Sequence, residues 1–341
     1  MVRSSLITLI LLLNPLVTSF RPHIPPPNPP TKLRSSASAT AFSVDDAFHN
    51  FVTMIERVQQ DIIASIEERE TAKFSDDPWS TNLSQGRTRV IEGGSIIEKG
   101  AVSVSVVERS TLSPARAETI SARGIEVKEG AEYCAAALSL VLHTRSPLIP
   151  TFRSDIRVFC LKEAAWVGGG ADLTPYYLFD EDVKEFHGKY KDLCERHGQN
   201  YEEYKKVCDD YFYIPARKEH RGVGGIFFDD LPLTPVSFSF VEQLAELWMP
   251  SWLDTICDKR MNDEYTEAQR DWQLIRRGRY LEFNLLYDRG VRFGLATENP
   301  RVEGILVSAP PLIKWTYNHK VETGSEEERL QKILESPLAW A

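Results

Sequence analysis

The spacing of apolar residues predicts the order of secondary-structure elements along the chain. Between residues 44 and 70, apolar side chains recur every three or four positions, which predicts an amphipathic helix. Alternation of apolar and polar side chains predicts strands at 96–98, 102–107, 138–143 and 151–160. Later patterns predict helices at 181–197, 201–212, 238–257 and 266–276, with short strands at 225–228, 279–286, 291–296 and 305–308.

The predicted strands follow one another in pairs instead of alternating strictly with helices. Lys99-Gly100 is expected to form the break at which the strands 96–98 and 102–107 are joined, and Asp288-Arg289-Gly290 is a candidate hairpin turn, with glycine supplying a positive φ. Such an order favours an α+β fold with a large, mainly antiparallel sheet. Because no internal repeat or linker is visible after residue 43, we expect residues 44–341 to form a single domain.

The first 43 residues have the composition of a targeting leader. They contain no Asp or Glu, and residues 1–19 combine Arg3, an apolar stretch and small residues, as in a signal peptide. The apolar stretch, residues 6–17, is shorter than the roughly 20 residues of a membrane span. Residues 20–43 begin at Phe20 and are rich in Pro, Ser and Ala, as in a transit peptide. We expect import into a plastid of secondary origin, with ordinary secretion as the alternative.

Charge and cysteine content exclude several classes of protein. With 49 acidic and 40 basic residues, the net charge of −9 offers no basic surplus for nucleic-acid phosphates. The five cysteines are far apart and form no CxxC pair, so we expect reduced thiols in place of a disulfide framework or zinc ribbon. No histidine pair has the i, i+4 spacing of a helical zinc site, and no metal is predicted.

Two features of the pattern suggest a binding site. Arg153, Asp155 and Arg157 share one face of the predicted strand 151–160, and three charges on a half-buried strand need partners. A ligand with several carboxylates would supply them. Glycine clusters at 168–170 and 222–225 lack the features of a phosphate loop. We expect turns there that let the backbone pass close to a flat or crowded partner.

Three blocks of sequence resemble signatures of the aerobic coproporphyrinogen-III oxidase family. The first is Trp166-Val-Gly-Gly-Gly-Ala-Asp-Leu-Thr-Pro175. The second comprises Asp209-Asp-Tyr-Phe-Tyr213 and Arg221-Gly-Val-Gly-Gly-Ile-Phe-Phe-Asp-Asp-Leu231. The third is Arg276-Arg-Gly-Arg-Tyr-Leu-Glu-Phe-Asn-Leu-Leu-Tyr-Asp-Arg-Gly290. The resemblance runs in order from about residue 80 to the C-terminus.

The resemblance implies a homodimer with a large antiparallel sheet flanked by helices on both faces. It also implies oxidative decarboxylation of two propionates of coproporphyrinogen III to vinyl groups, giving protoporphyrinogen IX for haem and chlorophyll synthesis. Molecular oxygen is the implied co-substrate, with no metal or organic cofactor. The protein would position the ring, bind the propionates and manage protons.

The resemblance also assigns roles to individual positions. Asp172 matches a carboxylate that faces the pyrrole N–H groups. Substrate contacts are implied for Ser139, Asp155, Arg157, Asn299, Pro300 and Arg301. Dimer contacts are implied for Val102, Val104, Val106, Tyr280, Phe283, Leu285 and Tyr287.

The chain departs from the family pattern at its implied proton donor. Arg153 replaces a histidine, and Asp155 replaces an asparagine. Arginine stays charged under cellular conditions and is a poor acid. His143 is a candidate substitute for part of the proton transfer. Three functions therefore compete: a working oxidase, a porphyrinogen-binding regulatory paralogue with little turnover, and a structural partner of an active homologue.

Overall fold

The computed structural model describes residues 43–121, 126–296 and 300–341. The predicted leader lies outside these residues except for Ser43, which caps the first helix by accepting a hydrogen bond from the Asp46 amide. Asn299 also lies outside the described residues. The predicted signal and transit peptides stay predictions.

Strands dominate the first half of the described chain, and helices dominate the second. The strands are β1 (Ser75–Ser80), β2 (Gln85–Glu92), β3 (Ile97–Thr111), β4 (Glu132–Thr144), β5 (Thr151–Leu161), β6 (Ala165–Thr174), β7 (Tyr213–Ile214), β8 (Glu219–His220) and β9 (Gly224–Pro232). The helices are α1 (Val44–Glu67), α2 (Pro114–Ser121), α3 (Asp180–Arg196), α4 (Tyr201–Tyr211), α5 (Pro235–Trp252), α6 (Asp258–Arg260), α7 (Glu267–Leu286), α8 (Arg289–Leu295), α9 (Val302–Leu306) and α10 (Glu326–Glu335). A π-helical turn, Leu253–Cys257, joins α5 to α6.

Seven strands form one antiparallel sheet in the order β1-β2-β3-β4-β5-β6-β9, which confirms the predicted fold class. The predicted break at Lys99-Gly100 is wrong, because β3 continues through both residues. A register irregularity between Ile97 and Lys99 absorbs the disturbance without ending the strand. Strands β7 and β8 form a separate hairpin.

One face of the sheet packs on α1, α3 and α5. Leu138, Leu140 and Leu142 of β4 point into this core, as their alternation predicts. Phe152 stacks on Trp252 with ring centroids 5.8 Å apart. Each large apolar side chain buried here contributes about 1.5–3 kcal/mol relative to exposure. Among the described residues, no helix combines the length and apolar character needed to cross a bilayer.

The other face is covered by α7, α8 and α9, and here three predicted strands are wrong. Residues 279–286, 291–296 and 305–308 lie mainly in helical segments. The buried face of α7 carries Arg276, Arg277 and Asn284 beside Tyr280 and Phe283. Because polar residues occupy half of that helical stripe, the apolar residues alone did not show a helical period. The predicted hairpin turn is wrong as well, since Asp288 caps α8 by accepting from the Val291 amide at 2.8 Å.

The first glycine cluster lies inside a strand, not in the turn that we expected. Gly168, Gly169 and Gly170 belong to β6, between β5 and β9. The predicted close approach is present, because a Cβ on Gly170 would lie 2.3 Å from the Ile226 carbonyl oxygen. On β9, a Cβ on Gly225 would lie 1.9 Å from the Ala171 carbonyl oxygen. Glycine at these positions allows the backbones of β6 and β9 to approach each other closely.

Gly225→Ala should therefore lower the free energy of unfolding by about 2–3 kcal/mol, because backbone must shift to admit the methyl group. Gly188→Ala is the matched control. Gly188 lies within α3, and a Cβ there meets no heavy atom within 4 Å. The control should raise stability by about 0.5–1 kcal/mol. Urea unfolding measures both, and equal shifts would contradict the proposed crowding.

Candidate active site

A cavity lies between the second face of the sheet and helices α7–α9. About 950 Å³ of space free of atoms lies within it, including open solvent at its mouth. Strand hydroxyls, three guanidinium groups and polar groups of the covering helices line it: Ser103, Ser105, Ser139, Arg153, Arg221, Arg301, Tyr280, Asn284 and Asp288.

The three charged residues of β5 share one face, as predicted, but they pair with each other. Arg153 contacts Asp155 at 2.8 Å, and Arg157 bonds both Asp155 and Asp229 of β9. Asp155 is fully buried. Burial lowers the pKa of Arg153, but Asp155 and Asp172 outweigh it and hold that pKa above its usual value. The protein itself supplies the partners that we expected from a ligand.

Asp172 does not line the cavity itself but pairs with Arg221, which does. Its Oδ2 accepts a hydrogen bond from Arg221 at 2.7 Å, and both residues are almost fully buried. Arg221 lines the cavity between two rings, 4.0 Å from the Phe212 centroid and 4.4 Å from that of Tyr280. The second oxygen of Asp172 is buried and has no hydrogen-bond partner among the described residues. The expectation of a lone carboxylate open to the cavity is therefore corrected to a carboxylate paired with Arg221.

Arg157 and Arg301 are not brought together. Arg157 lies over the Phe227 ring, 5.3 Å from its centroid, and is not part of the cavity lining. Arg301, which follows the half-buried Pro300, lines the cavity and bonds Asp77 of β1. Because β1 and β9 are the two edges of the sheet, the partners Asp77 and Asp229 hold these arginines toward opposite edges. A single carboxylate cannot bridge them.

His143 is fully buried, and both of its ring nitrogens are engaged. Nε2 lies 2.9 Å from the Ser308 carbonyl oxygen, so it donates, and Nδ1 accepts from the Thr151 hydroxyl at 3.1 Å. Burial, with Arg277 nearby, holds the pKa of His143 well below its usual value. The neutral imidazole of His143 thus connects β4 to β5 and to the segment after α9 through two hydrogen bonds. This geometry does not favour His143 as the substitute proton donor.

Buried neutral histidines should make the protein acid-labile. His187, also fully buried, has a pKa held well below its usual value by burial and by Lys205. Because the unfolded state binds protons below about pH 6.5 while both folded histidines resist, their stabilisation is complete above that pH and lost below it. The free energy of unfolding should fall by about 2 kcal/mol between pH 6.5 and 5.5. His187→Gln should halve the slope in denaturant titrations, and an unchanged slope would assign it to other groups.

Most side chains of the predicted dimer interface are buried within the protomer. Val102, Val104 and Val106 pack in the core formed with α1, and Tyr280 and Phe283 are almost fully buried. Tyr287 is half-buried, whereas Leu285 is exposed. A partner could touch few of the seven through their side chains. The homodimer itself stays a prediction.

Sequence reasoning missed several residues that build the site. It assigned no role to Arg221, Asp229, Phe212 or Phe227, and it placed Tyr280 in an interface instead of the cavity wall. Four of these lie in the blocks at 209–213 and 221–231, which carried the family resemblance. The resemblance of these two blocks to the family was the signal that could have identified the four residues. Among the described residues, no three His, Cys, Asp or Glu side chains are grouped to hold a metal ion, and the predicted lack of a metal stays a prediction.

Comparisons with known proteins agree with the fold and the sequence blocks. The family model described as coproporphyrinogen III oxidase matches residues 50–340. An oxygen-dependent coproporphyrinogen-III oxidase of Drosophila melanogaster is 42% identical over 305 residues, covering 86% of this chain and 78% of that protein. The enzyme of the same name from Francisella tularensis subsp. holarctica is 40% identical over 310 residues, covering 86% of this chain and 97% of its own. This chain belongs to the coproporphyrinogen III oxidase family.

Proposed function

We propose that this protein is an oxygen-dependent coproporphyrinogen-III oxidase that converts two propionates of coproporphyrinogen III to vinyl groups. The observation that carries the proposal is the similarity to proteins of that name across 86% of this chain. The cavity supports it, because three guanidinium groups line its wall. Arginine forks bind carboxylates through two parallel hydrogen bonds.

The proposed reaction balances for each propionate without a further reductant. A side chain –CH2–CH2–COOH and one O2 give –CH=CH2, CO2 and H2O2. The porphyrinogen supplies two electrons, and oxygen is reduced to peroxide. We propose that neither a metal nor an organic cofactor takes part, so that the protein contributes binding, orientation and electrostatics.

Within this proposal, Arg221 and Asp172 act as one unit at the cavity wall. Asp172 keeps Arg221 in place between Phe212 and Tyr280, so that the guanidinium group stays at the cavity wall. Arg301 and Ser139 line the same cavity and are candidate partners for propionates. A charge-assisted hydrogen bond of this kind contributes about 1.5–3 kcal/mol.

Oxygen consumption by the purified protein with coproporphyrinogen III tests the proposal. We expect uptake of oxygen together with release of protoporphyrinogen IX, detected after oxidation to the fluorescent porphyrin. No uptake, combined with saturable binding of coproporphyrin in a fluorescence titration, would instead support the regulatory paralogue. Absence of both would leave only a structural role.

We also propose that the protein acts in a plastid and that it forms a homodimer. The plastid rests on the signal-like residues 1–19 and transit-like residues 20–43. A fluorescent fusion of residues 1–43 should enter plastids, and retention in the secretory pathway would overturn this. The homodimer rests on the family resemblance, and light scattering of the purified protein should give twice the mass of the mature chain.

A further inference from the structure

Two cysteines face each other across neighbouring strands at one end of the sheet. Cys134 of β4 and Cys160 of β5 are direct partners in the antiparallel register. Directly opposed residues in such a ladder have Cα atoms about 4.5–5.5 Å apart. A disulfide needs a Cα separation of about 4.4–6.8 Å. The backbone therefore already has the spacing for a disulfide, although both thiols are free in this structure.

The two thiols differ in a way that gives each a separate part in oxidation. Cys134 is half-buried, whereas Cys160 is almost fully buried behind it. A hydrogen bond from Cys160 lowers the pKa of Cys134, and the same bond together with burial raises that of Cys160. Asp45, in the first turn of α1, opposes ionisation of both. Cys134 is the accessible attacking sulfur, and Cys160 is placed to resolve it.

The remaining cysteines have a different environment. Cys194, Cys208 and Cys257 are fully buried, and burial raises the pKa of all three thiols. Of the five cysteines, all of which lie in the described part of the chain, Cys134 alone has a lowered pKa. Reactivity toward oxidants follows thiolate character and exposure.

We propose that Cys134 and Cys160 form a dithiol site that hydrogen peroxide oxidises to a disulfide. The Cys134 thiolate attacks one oxygen of H2O2, the O–O bond breaks, and one water leaves after protonation. The Cys160 sulfur then attacks the Cys134 sulfenic acid, the S–O bond breaks, and a second water leaves. In total, two thiols and one H2O2 give one disulfide and two waters, so the cysteines are oxidised and the peroxide is reduced.

The source of the oxidant rests on the proposed function, which releases one H2O2 for each propionate converted. The disulfide would join the strand that carries Ser139 to the strand that carries Arg153 and Arg157. Because Cys160 lies three positions after Arg157, the link would lie on the opposite face of the sheet from the charged cluster, in the core that includes α1. A dithiol there would react with peroxide before the buried thiols.

Thiol titration after treatment of the purified protein with added H2O2 tests the site without any substrate. We expect the five thiols to fall to three, since one disulfide consumes two, with a Cys134–Cys160 linked peptide in non-reducing mass spectrometry. Dithiothreitol should restore all five. The melting temperature should rise by about 5 °C on oxidation, because the link closes a loop of roughly 25 residues.

Two variants make the result specific. Cys134→Ser should abolish the linked peptide and retain four thiols after peroxide treatment, whereas Cys194→Ser should still form it. Five thiols after peroxide, or a disulfide between other cysteines, would overturn the proposal. Because peroxide is added, an inactive oxidase leaves this result unaffected. With an active one, catalase during turnover should suppress the disulfide, and its formation despite catalase would overturn the internal source of peroxide.

Discussion

Asp172→Asn should lower kcat for coproporphyrinogen oxidation by about 100- to 1,000-fold while the protein still folds. Asparagine keeps the size of the side chain and an oxygen that can accept from Arg221, but it removes the negative charge. Arg221 would then lie between Phe212 and Tyr280 without its counter-charge. Steady-state oxygen uptake with coproporphyrinogen III measures the effect.

The stability of this variant needs a control, because breaking a buried ion pair costs about 3–5 kcal/mol. Asp182 of α3 provides it. Asp182 is buried and bonds Arg260, with Lys259 at 2.9 Å, across the sheet from the cavity. Asp182→Asn should lose comparable stability and keep kcat. If both variants lose activity in parallel, or if Asp172→Asn retains kcat within threefold, Asp172 is not part of the chemistry.

Strands β3, β4, β5 and β9 were predictable at least in part from local patterns, whereas β1, β2 and β6 were not predicted. Leu138, Leu140 and Leu142 alternate with Ser139, Val141 and His143, and a two-residue period fixes which side chains share a face. The same rule placed Arg153, Asp155 and Arg157 together. The second half of α7 was not recognised as a helix, because the polar residues Arg276, Arg277 and Asn284 lie on its buried face. Their burial depends on parts of the chain that are distant in sequence, and a local pattern does not show it.

The partners within the site were not predictable from local patterns. Asp229 is 72 residues from Arg157, and Arg221 is 49 residues from Asp172. Both belong to the segment around β9, whose position beside β6 follows from the topology of the whole sheet. Sequence spacing identified the charges that needed partners, but it suggested a ligand where the fold supplies aspartates. The cavity is consequently less cationic than its three arginines suggest.

The pairing of these charges also changes the interpretation of the residue at position 153. Arg153 and Asp155 together replace the histidine and the asparagine of the family pattern, and in this structure they contact each other at 2.8 Å. Arg153→His alone would leave the fully buried Asp155 with Arg157 as its one strong cationic partner. We expect that single change to destabilise the protein by about 3 kcal/mol. We expect a similar loss for Asp155→Asn, because it leaves two arginines side by side.

Arg153→His combined with Asp155→Asn should raise turnover at least tenfold, because a titratable imidazole then lines the cavity where a fixed cation stood. General acid catalysis contributes about 10²–10⁴-fold, so a tenfold gain allows for imperfect placement. The double variant should lose less stability than the sum of the single changes, by about 0.5–3 kcal/mol, since both charges leave together. Oxygen uptake across pH 5–9 measures the gain and should show a new dependence near the histidine pKa, about 6.5. Unchanged turnover in a stable double variant would mean that proton donation at this position does not limit the reaction, and that Arg153 serves this cavity through its charge.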